Sequence, residues 1–130
     1  MNPWIENVSL ADIRKGFHYD PSGPWGLISI VDPDMDFPIP KYQPTFSLKE
    51  KFLDLEEDHP DAIQEDQAKR IAFFLKDCLD KSIPVIVHCV AGVCRSGAVA
   101  EIGEMIGFTS VEKYRSPNLR VKHFLMKELL

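Results

Sequence analysis

The sequence predicts an α/β fold, with a single domain and a mostly parallel central sheet flanked by helices. Residues 85–87 are β-branched and apolar, which is typical of a buried parallel strand. Apolar residues at helical spacing precede this run at 64–79 and follow it at 96–106. Another apolar run at 27–31 ends in turn residues. Strands that alternate with helices in this way favour a parallel sheet with helices on its faces.

The first half of the chain is predicted to supply strands and a long loop. Leu27-Ile28-Ser29-Ile30-Val31 is predicted to form a strand, which Asp32-Pro33-Asp34 ends. The proline-rich segment 33–46 predicts an irregular loop, because proline fixes the backbone and lacks an amide donor. A second strand is expected to follow this loop.

The helices are predicted from apolar faces and start signals. In the segment 64–79, Asp61 and Gln64 give the start signal, and the core-facing positions are Ala68, Ile71, Ala72, Leu75 and Leu79. Farther along, Thr109-x-x-Glu112 resembles a capping box, and Ser116-Pro117 resembles an N-cap with proline at the first helical position. The closing helix would direct four side chains to the core: Val121, Phe124, Leu125 and Leu129.

The composition fits one catalytic domain over residues 1–130. With 130 residues, 45% of them hydrophobic, the chain is long enough to bury a core without staples. Its net charge of -5 argues against a general nucleic-acid or anionic-membrane binder, whose surface would be basic. Three cysteines are too few for a secreted disulfide framework. We expect a cytoplasmic monomer that binds neither nucleic acid nor membrane.

The segment 88–97 is predicted to bind phosphate and to attack it. A cysteine attacks phosphorus as the thiolate, which a helix N-terminus and a nearby cation favour. Cys89 would lie where a strand ends and a helix begins, so that backbone N–H groups form an anion nest. Arg95 supplies a planar fork for two phosphoryl oxygens, and Ser96 is placed to hydrogen-bond the thiolate. The residues predicted to bind phosphate are Val90, Ala91, Gly92, Val93, Cys94 and Arg95.

The pattern His-Cys-x-x-Gly-x-x-Arg-Ser at 88–96 resembles the signature of the protein tyrosine phosphatase superfamily. Because the loop lies late in the chain, the sequence is similar to the dual-specificity branch. The resemblance covers most of the chain from about Leu27 and includes Pro117-Asn118 followed by a closing helix. It implies a phosphatase acting on a phosphorylated protein through a cysteinyl-phosphate intermediate, without cofactor or metal. Phosphotyrosine is the expected substrate, alongside phosphoserine and phosphothreonine. His88 would support the loop.

The resemblance also implies a general acid that protonates the leaving oxygen, an aspartate roughly thirty to forty residues before the nucleophile. Asp54 fits best, since Phe52-x-Asp54 followed by an aliphatic residue resembles the end of a strand in that branch. Asp58 and Asp61 are the alternatives. The same acidic run is also typical of a solvated loop without chemistry.

Cys94 departs from the small or polar residue usual in the dual-specificity loop. By similarity to the low-molecular-weight tyrosine phosphatases, it would protect Cys89 by forming a reversible disulfide. Alternatively, Cys94 packs as a small apolar side chain. Cys78 is predicted to be buried, as free cysteines commonly are.

Other interpretations of the loop stay open. One is a catalytically weak phosphate-binding module, and another is a phosphatase for a non-protein substrate such as RNA 5′ ends or a nucleotide. A rhodanese-like sulfurtransferase or thiol redox protein is disfavoured by Arg95-Ser96, and a metal site is disfavoured because no paired-ligand spacing is present. Three aromatic residues are candidates for the wall of a substrate pocket: Phe37, Tyr42 and Phe46.

Overall fold

The computed structural model describes residues 2–16 and 22–130, and this part of the chain contains one parallel sheet. Its strands lie in the order β3-β2-β4-β1-β5, and every neighbouring pair is parallel. The strands are β1 (Trp4–Val8), β2 (Gly26–Val31), β3 (Phe46–Lys51), β4 (Val85–His88) and β5 (Thr109–Ser110). The sheet confirms the predicted α/β class.

Helices cover both faces of this sheet. They are α1 (Leu10–Lys15), α2 (Glu65–Asp80), α3 (Arg95–Ile106) and α4 (Leu119–Leu129). Helices α2, α3 and α4 pack over the main core. On the other face, α1 and Tyr42 cover a smaller cluster that includes Ile13, Trp25 and Ile86. Within the described ranges, no helix is long and apolar enough to cross a membrane.

The continuous apolar runs of the sequence form the central strands. The run at 27–31 lies in β2 and the run at 85–87 lies in β4; these two strands are neighbours, with every residue buried. A strand that is covered on both faces has an unbroken apolar sequence, which is why the apolar runs predicted these two strands. The helical segment 64–79 forms α2, shifted by one residue, and the segment 96–106 forms α3, which begins one residue earlier.

The capping box predicted at Thr109-x-x-Glu112 is wrong, because this segment begins as a strand. The amide of Thr109 donates to the carbonyl of Pro3 at 2.8 Å, and Thr109 and Ser110 pair with β1 as the edge strand β5. Thr109 therefore lies in a strand ladder and caps no helix. The signal misleads because Thr is favoured in strands as well as at helix starts.

The N-cap predicted at Ser116 is also wrong. The cap of α4 is Asn118, whose side-chain oxygen accepts a hydrogen bond from the amide of Val121 at 3.0 Å. Pro117 precedes the cap, and asparagine is among the strongest N-cap residues. The apolar face predicted for this helix packs as expected, with Val121 and Leu125 fully buried and Phe124 and Leu129 partly buried against the core.

The sequence patterns miss β1 and α1. Strand β1 places Glu6 and Asn7 among its apolar residues, so it shows neither an apolar run nor a clean alternation. Helix α1 has six residues, too few to show a helical period. Its start is a capping box, in which the Ser9 hydroxyl accepts from the amide of Asp12 at 3.1 Å.

The carboxyl ends of the parallel strands meet at one edge of the sheet, where ligands bind in open α/β folds. The loops after β2, β3 and β4 start there with Asp32, Phe52 and Cys89, and α1 follows β1 at the same edge. This edge therefore brings together the segments in which the sequence predicts a functional site.

Candidate active site

The segment from Cys89 to Arg95 wraps around the thiol of Cys89. Strand β4 ends at His88 and α3 begins at Arg95, so the loop lies between a buried strand and a helix N-terminus. The Cys89 Sγ accepts a hydrogen bond from the amide of Gly92 at 3.2 Å and lies 3.2 Å from the Ser96 Oγ. When the hydroxyl donates, the sulfur accepts hydrogen bonds from both the amide of Gly92 and Ser96.

Four carbonyl groups of this loop are held from outside it. The donor–acceptor pairs are Leu10 N to Val90 O at 3.2 Å, Asn7 Nδ2 to Gly92 O at 2.7 Å, Ser116 N to Val93 O at 3.2 Å and Asn118 N to Cys94 O at 2.9 Å. In a trans peptide the following N–H points opposite to the carbonyl, and the described residues contain no cis peptide.

The outward carbonyls leave the intervening amides pointing into the loop. These are the N–H groups of Ala91, Val93, Cys94 and Arg95, and none has a hydrogen-bond acceptor among the described residues. Successive inward N–H groups at the start of a helix form a concavity that suits an anion. The backbone geometry is therefore that of an anion nest centred on the thiol of Cys89.

Gly92 lies against the end of β1. Its φ is +78°, in the left-handed region, and a Cβ built there would lie 2.5 Å from the backbone nitrogen of Ser9 and from the backbone carbon of Val8. Any side chain would collide with main-chain atoms that cannot rotate away. Glycine at this position lets the loop pack closely enough to β1 for Asn7 to reach it.

Asn7, which is fully buried in β1, supports the loop, and sequence reasoning missed it. Its Nδ2 donates to the carbonyl of Gly92, and its Oδ1 accepts from the Nε of Arg115 at 2.7 Å. Arg115 is anchored in turn by Glu104 at 2.6 Å. A polar residue inside a buried strand needs partners. The sequence signal for this network is an asparagine that interrupts a short apolar segment.

His88 supports the loop from the strand side. The ring is fully buried; its Nδ1 lies 3.2 Å from the carbonyl of Cys89, and its Nε2 contacts the hydroxyl of Ser29. Burial lowers the pKa of His88, with a smaller contribution from the nearby positive charge of Arg95. The ring is therefore neutral at pH 7 and fixes the last residue of β4.

Arg95 folds back against the ends of β2 and β3. Its Nη1 donates to the carboxylate of Asp32 at 2.6 Å and to the carbonyl of Phe52 at 2.7 Å. The side chain is 6% exposed, whereas that of Asp32 is 31% exposed. The guanidinium is thus tied to the two strand ends beside the loop.

Asp54 and Cys94 share a cavity of about 350 Å³ beside the loop. The Oδ1 of Asp54 accepts from the Nδ2 of Asn118 at 2.7 Å. Burial raises the pKa of Cys94, and the neighbouring Asp54 carboxylate raises it further. The cavity opens between the loop, the segment after β3 and the start of α4, so a group bound there would touch both the candidate acid and the nest.

Comparison with known proteins gives matches among solved structures. No protein-family model and no curated protein matches this chain. Its structure is similar to the crystal structure of the human tyrosine phosphatase-like serine/threonine/tyrosine-interacting protein, with a TM-score of 0.62. The match covers 95% of this chain and 89% of that one, at 22% sequence identity. The chain has a tyrosine phosphatase-like fold.

In this tyrosine phosphatase-like fold, the alternative acids lie away from the cavity that Asp54 shares with Cys94. The side chain of Asp58 is 96% exposed and lies 3.5 Å from Arg120. Asp61 lines a separate cavity of about 250 Å³ together with Asp34. Of the three aspartates, only Asp54 lines the cavity next to the loop.

The aromatic residues expected to form a pocket wall lie elsewhere in the tyrosine phosphatase-like fold. Phe37 lines a different cavity of about 270 Å³ with Ser29 and Lys49. Tyr42 packs against the smaller core cluster, and Phe46 stays 40% exposed at the start of β3. None of these aromatics lines the cavity beside Cys94, since the loop after β2 folds over the sheet face.

The three cysteines are free thiols in distinct environments. Cys78 is 2% exposed in the main core, and burial raises its pKa to about 11. Cys89 is buried and Cys94 is partly exposed. Over residues 2–16 and 22–130, no three His, Cys, Asp or Glu side chains lie close enough together to hold a metal ion.

Proposed function

We propose that the protein is a cysteine-dependent phosphatase that hydrolyses phosphate monoesters in phosphorylated proteins. One observation carries the proposal: the loop after β4 turns its carbonyls outward and its amides inward around the Cys89 thiol. Inward amides, the N-terminus of α3 and the guanidinium of Arg95 together suit a doubly charged phosphate. A thiol at the centre of such a nest faces the phosphorus atom.

In the first step, the thiolate of Cys89 attacks phosphorus and the bond between phosphorus and the leaving oxygen breaks. Asp54 donates its proton to that oxygen, which departs as the phenol or alcohol of the substrate side chain. The loop amides and Arg95 stabilise the charge on the phosphoryl oxygens during transfer. The product on the protein is cysteinyl phosphate.

In the second step, the Asp54 carboxylate takes a proton from water as the water oxygen attacks phosphorus. The bond between sulfur and phosphorus breaks, and the sulfur leaves as a thiolate that Ser96 stabilises from 3.2 Å. Inorganic phosphate is released and Asp54 is again protonated. The protein returns to its starting state without any net change in its own groups.

A phosphate-binding module without hydrolysis is the second candidate. The similar human protein is named as a tyrosine phosphatase-like interacting protein, which favours a binding role for at least one chain of this fold. Against it stand the thiol of Cys89 inside the nest and an aspartate in the adjoining cavity. RNA 5′ ends and nucleotides are the alternative substrates, and the net charge of -5 disfavours them.

The test compares the hydrolysis of alkyl and aryl phosphates by the wild type, Cys89→Ser and Asp54→Asn. We expect Cys89→Ser to be inactive, because a serine hydroxyl is a far weaker nucleophile at neutral pH. Asp54→Asn should lose about 10²–10⁴-fold in kcat with alkyl phosphates and much less with nitrophenyl phosphate, whose leaving group needs no proton. Vanadate should inhibit the wild type.

Asp58→Asn is the matched control, since Asp58 is exposed and lies outside the cavity. Full activity of Cys89→Ser would exclude the covalent mechanism. Equal kcat for the wild type and Asp54→Asn with alkyl phosphates would move the acid to Asp58 or Asp61. Binding of vanadate without any turnover would favour the module.

Peptides and nucleotides then define the substrate class. We infer that phosphotyrosine peptides are hydrolysed, together with phosphoserine and phosphothreonine peptides, in preference to RNA 5′ ends and nucleotides. We also infer a monomer in the cytoplasm, where reducing conditions keep Cys89 as a thiol. Measured kcat/KM over this panel and the mass of the protein in solution test these inferences.

A further inference from the structure

We propose that Asp32 is a positioning residue, which orients the guanidinium of Arg95 so that its two-nitrogen edge faces the anion nest. The proposal rests on the proposed phosphate site and deepens it. Asp32 belongs to the turn after β2 and lies outside the Cys89–Ser96 loop. Its connection to the site is the 2.6 Å contact between its Oδ1 and the Nη1 of Arg95.

The hydrogen bonds of Arg95 divide its guanidinium into two sides. Nη1 donates both to Asp32 and to the carbonyl of Phe52, at 2.6 and 2.7 Å. Nε and Nη2 have no partner among the described residues. These two nitrogens carry parallel N–H groups, which is the edge that binds two oxygens of a phosphate. Fixing Nη1 leaves this edge for the anion.

The two acceptors of Nη1 belong to one rigid frame. The amide of Phe52 donates to the carbonyl of Val31 at 3.1 Å, which joins the ends of the paired strands β2 and β3. The carbonyl of Asp32 accepts from the amide of Met35 at 3.0 Å and closes the turn after β2. Because both acceptors are fixed by backbone bonds, they define one direction for the guanidinium.

The negative charge of Asp32 helps to hold the Arg95 guanidinium, in addition to the position of its carboxylate. The side chain of Arg95 is only 6% exposed, so its guanidinium has lost most of its contact with water. A carboxylate at hydrogen-bond distance replaces that contact. Without it, Nη1 keeps one acceptor, the Phe52 carbonyl, and the guanidinium is free to rotate away from the nest.

The experiment measures tungstate binding by calorimetry and aryl phosphate kinetics for the wild type, Asp32→Ala and Asp32→Asn. We expect Asp32→Ala to weaken tungstate binding and raise KM roughly ten- to hundredfold, the size of effect that a misplaced binding group produces. We expect a smaller change in kcat. Asp32→Asn keeps an acceptor oxygen and should restore part of the affinity, even if Asp32→Ala folds poorly.

Asp34→Ala is the matched control, because Asp34 is exposed in the same turn and forms no ion pair within the described residues. It removes one negative charge without touching Arg95, so it should not weaken tungstate binding. In an Arg95→Lys background, Asp32→Ala should cause little further loss, since the group that it orients is gone.

Tungstate affinity equal to wild type in both Asp32 variants would overturn the proposal, as would a wild type that binds no tungstate. An equal loss of affinity in Asp34→Ala would also overturn it. A wild type that binds tungstate but hydrolyses nothing would refute the proposed phosphatase activity alone, and the comparison of binding would still decide the role of Asp32.

Discussion

At the scale of single residues, the polar groups behind Cys89 form a closed set of hydrogen bonds. Neutral His88 has one donor and one acceptor nitrogen, and both are used: Nδ1 donates to the carbonyl of Cys89 and Nε2 accepts from Ser29. Within the described residues, every fully buried side-chain nitrogen or oxygen has a partner. Protonation of the ring would turn Nε2, which accepts from Ser29, into a second donor, and the hydrogen bond from the Ser29 hydroxyl would be lost.

The lowered pKa of His88 predicts that acid destabilises the protein. Below about pH 6.5, the ordinary pKa of histidine, the unfolded chain binds a proton that the folded chain does not. The contribution of His88 to the free energy of unfolding should therefore be complete above about pH 6.5 and should fall as the pH drops below that value. Urea denaturation at several pH values measures this dependence.

The substitution His88→Gln should remove this contribution to the pH dependence, although it lowers stability at every pH. His123→Gln is the control, because His123 is exposed on α4 and should leave the dependence in place. An unchanged slope in His88→Gln would assign the effect to other groups.

The environment of Cys94 disfavours the thiolate that disulfide exchange requires. Burial and the Asp54 carboxylate both raise its pKa. A thiol with a raised pKa attacks an oxidised sulfur more slowly. Protection of Cys89 by Cys94 therefore stays a prediction, and one that the raised pKa makes slow at neutral pH.

Mild peroxide treatment followed by mass spectrometry tests this protection. If Cys94 protects, a disulfide between Cys89 and Cys94 forms and a reductant reverses it. Faster formation at higher pH is expected, since more Cys94 is then thiolate. Sulfonic acid at Cys89 with Cys94 still free would contradict protection. Cys78 should stay unmodified throughout, because it is buried and burial raises its pKa to about 11.

At the scale of elements, the contact between β1 and the loop at Gly92 determines the shape of the site. The end of β1 supplies the Asn7 side chain that holds the Gly92 carbonyl, and the backbone of Val8 and Ser9 leaves no room for a Cβ. The strand also pairs with β4, which leads directly into Cys89. A change at Gly92 is therefore transmitted to both elements.

We expect Gly92→Ala to lower the free energy of unfolding by about 2 kcal/mol or more and to abolish phosphatase activity, because strain and a collision with main chain combine. Urea denaturation and aryl phosphate hydrolysis measure the two effects. Gly23→Ala separates them: its φ is +109°, yet a Cβ there meets nothing within 4 Å. It should cost stability without affecting kcat. Wild-type activity in Gly92→Ala would contradict the close packing.

Patterns in the sequence predict the elements that are long or uniformly buried. Strands β2 and β4 and helices α2 and α3 follow from apolar runs and helical spacing. Strand β1 does not, because the buried Asn7 interrupts its apolar pattern and its partners are distant in sequence. The nest residues follow from their spacing, whereas Asp32 and Asn7 contact the site only through the tertiary fold.

At the scale of the whole molecule, carboxylates line two cavities at the sheet edge that holds the candidate site. Glu57 lines the cavity beside Cys94, and Asp34 and Asp61 line the neighbouring one. None of the three forms an ion pair within the described residues. With a net charge of -5, the protein should repel anions at long range.

This repulsion predicts a salt effect of unusual sign. The kcat/KM for a doubly charged aryl phosphate should rise by about two- to fivefold between low and physiological ionic strength, because salt screens the repulsion. A phosphotyrosine peptide with flanking arginines should show the opposite trend. Stopped assays at several salt concentrations measure both slopes.

Replacing two of these carboxylates, with Asp34→Asn and Glu57→Gln, should weaken the salt dependence of kcat/KM for both substrates while leaving kcat unchanged. If kcat/KM depended on salt concentration in the same way for the two substrates, these carboxylates would have no role in the salt effect.

The nest also has a consequence for when the candidate site is completed during synthesis of the chain. Its carbonyls are fixed by residues from opposite ends of the chain, with Asn7 and Leu10 on one side and Ser116 and Asn118 on the other. A nascent chain that has left the ribosome only as far as α3 holds the nucleophile in a loop with half of its supports. Phosphate binding should therefore switch on late in translation, once the start of α4 has emerged.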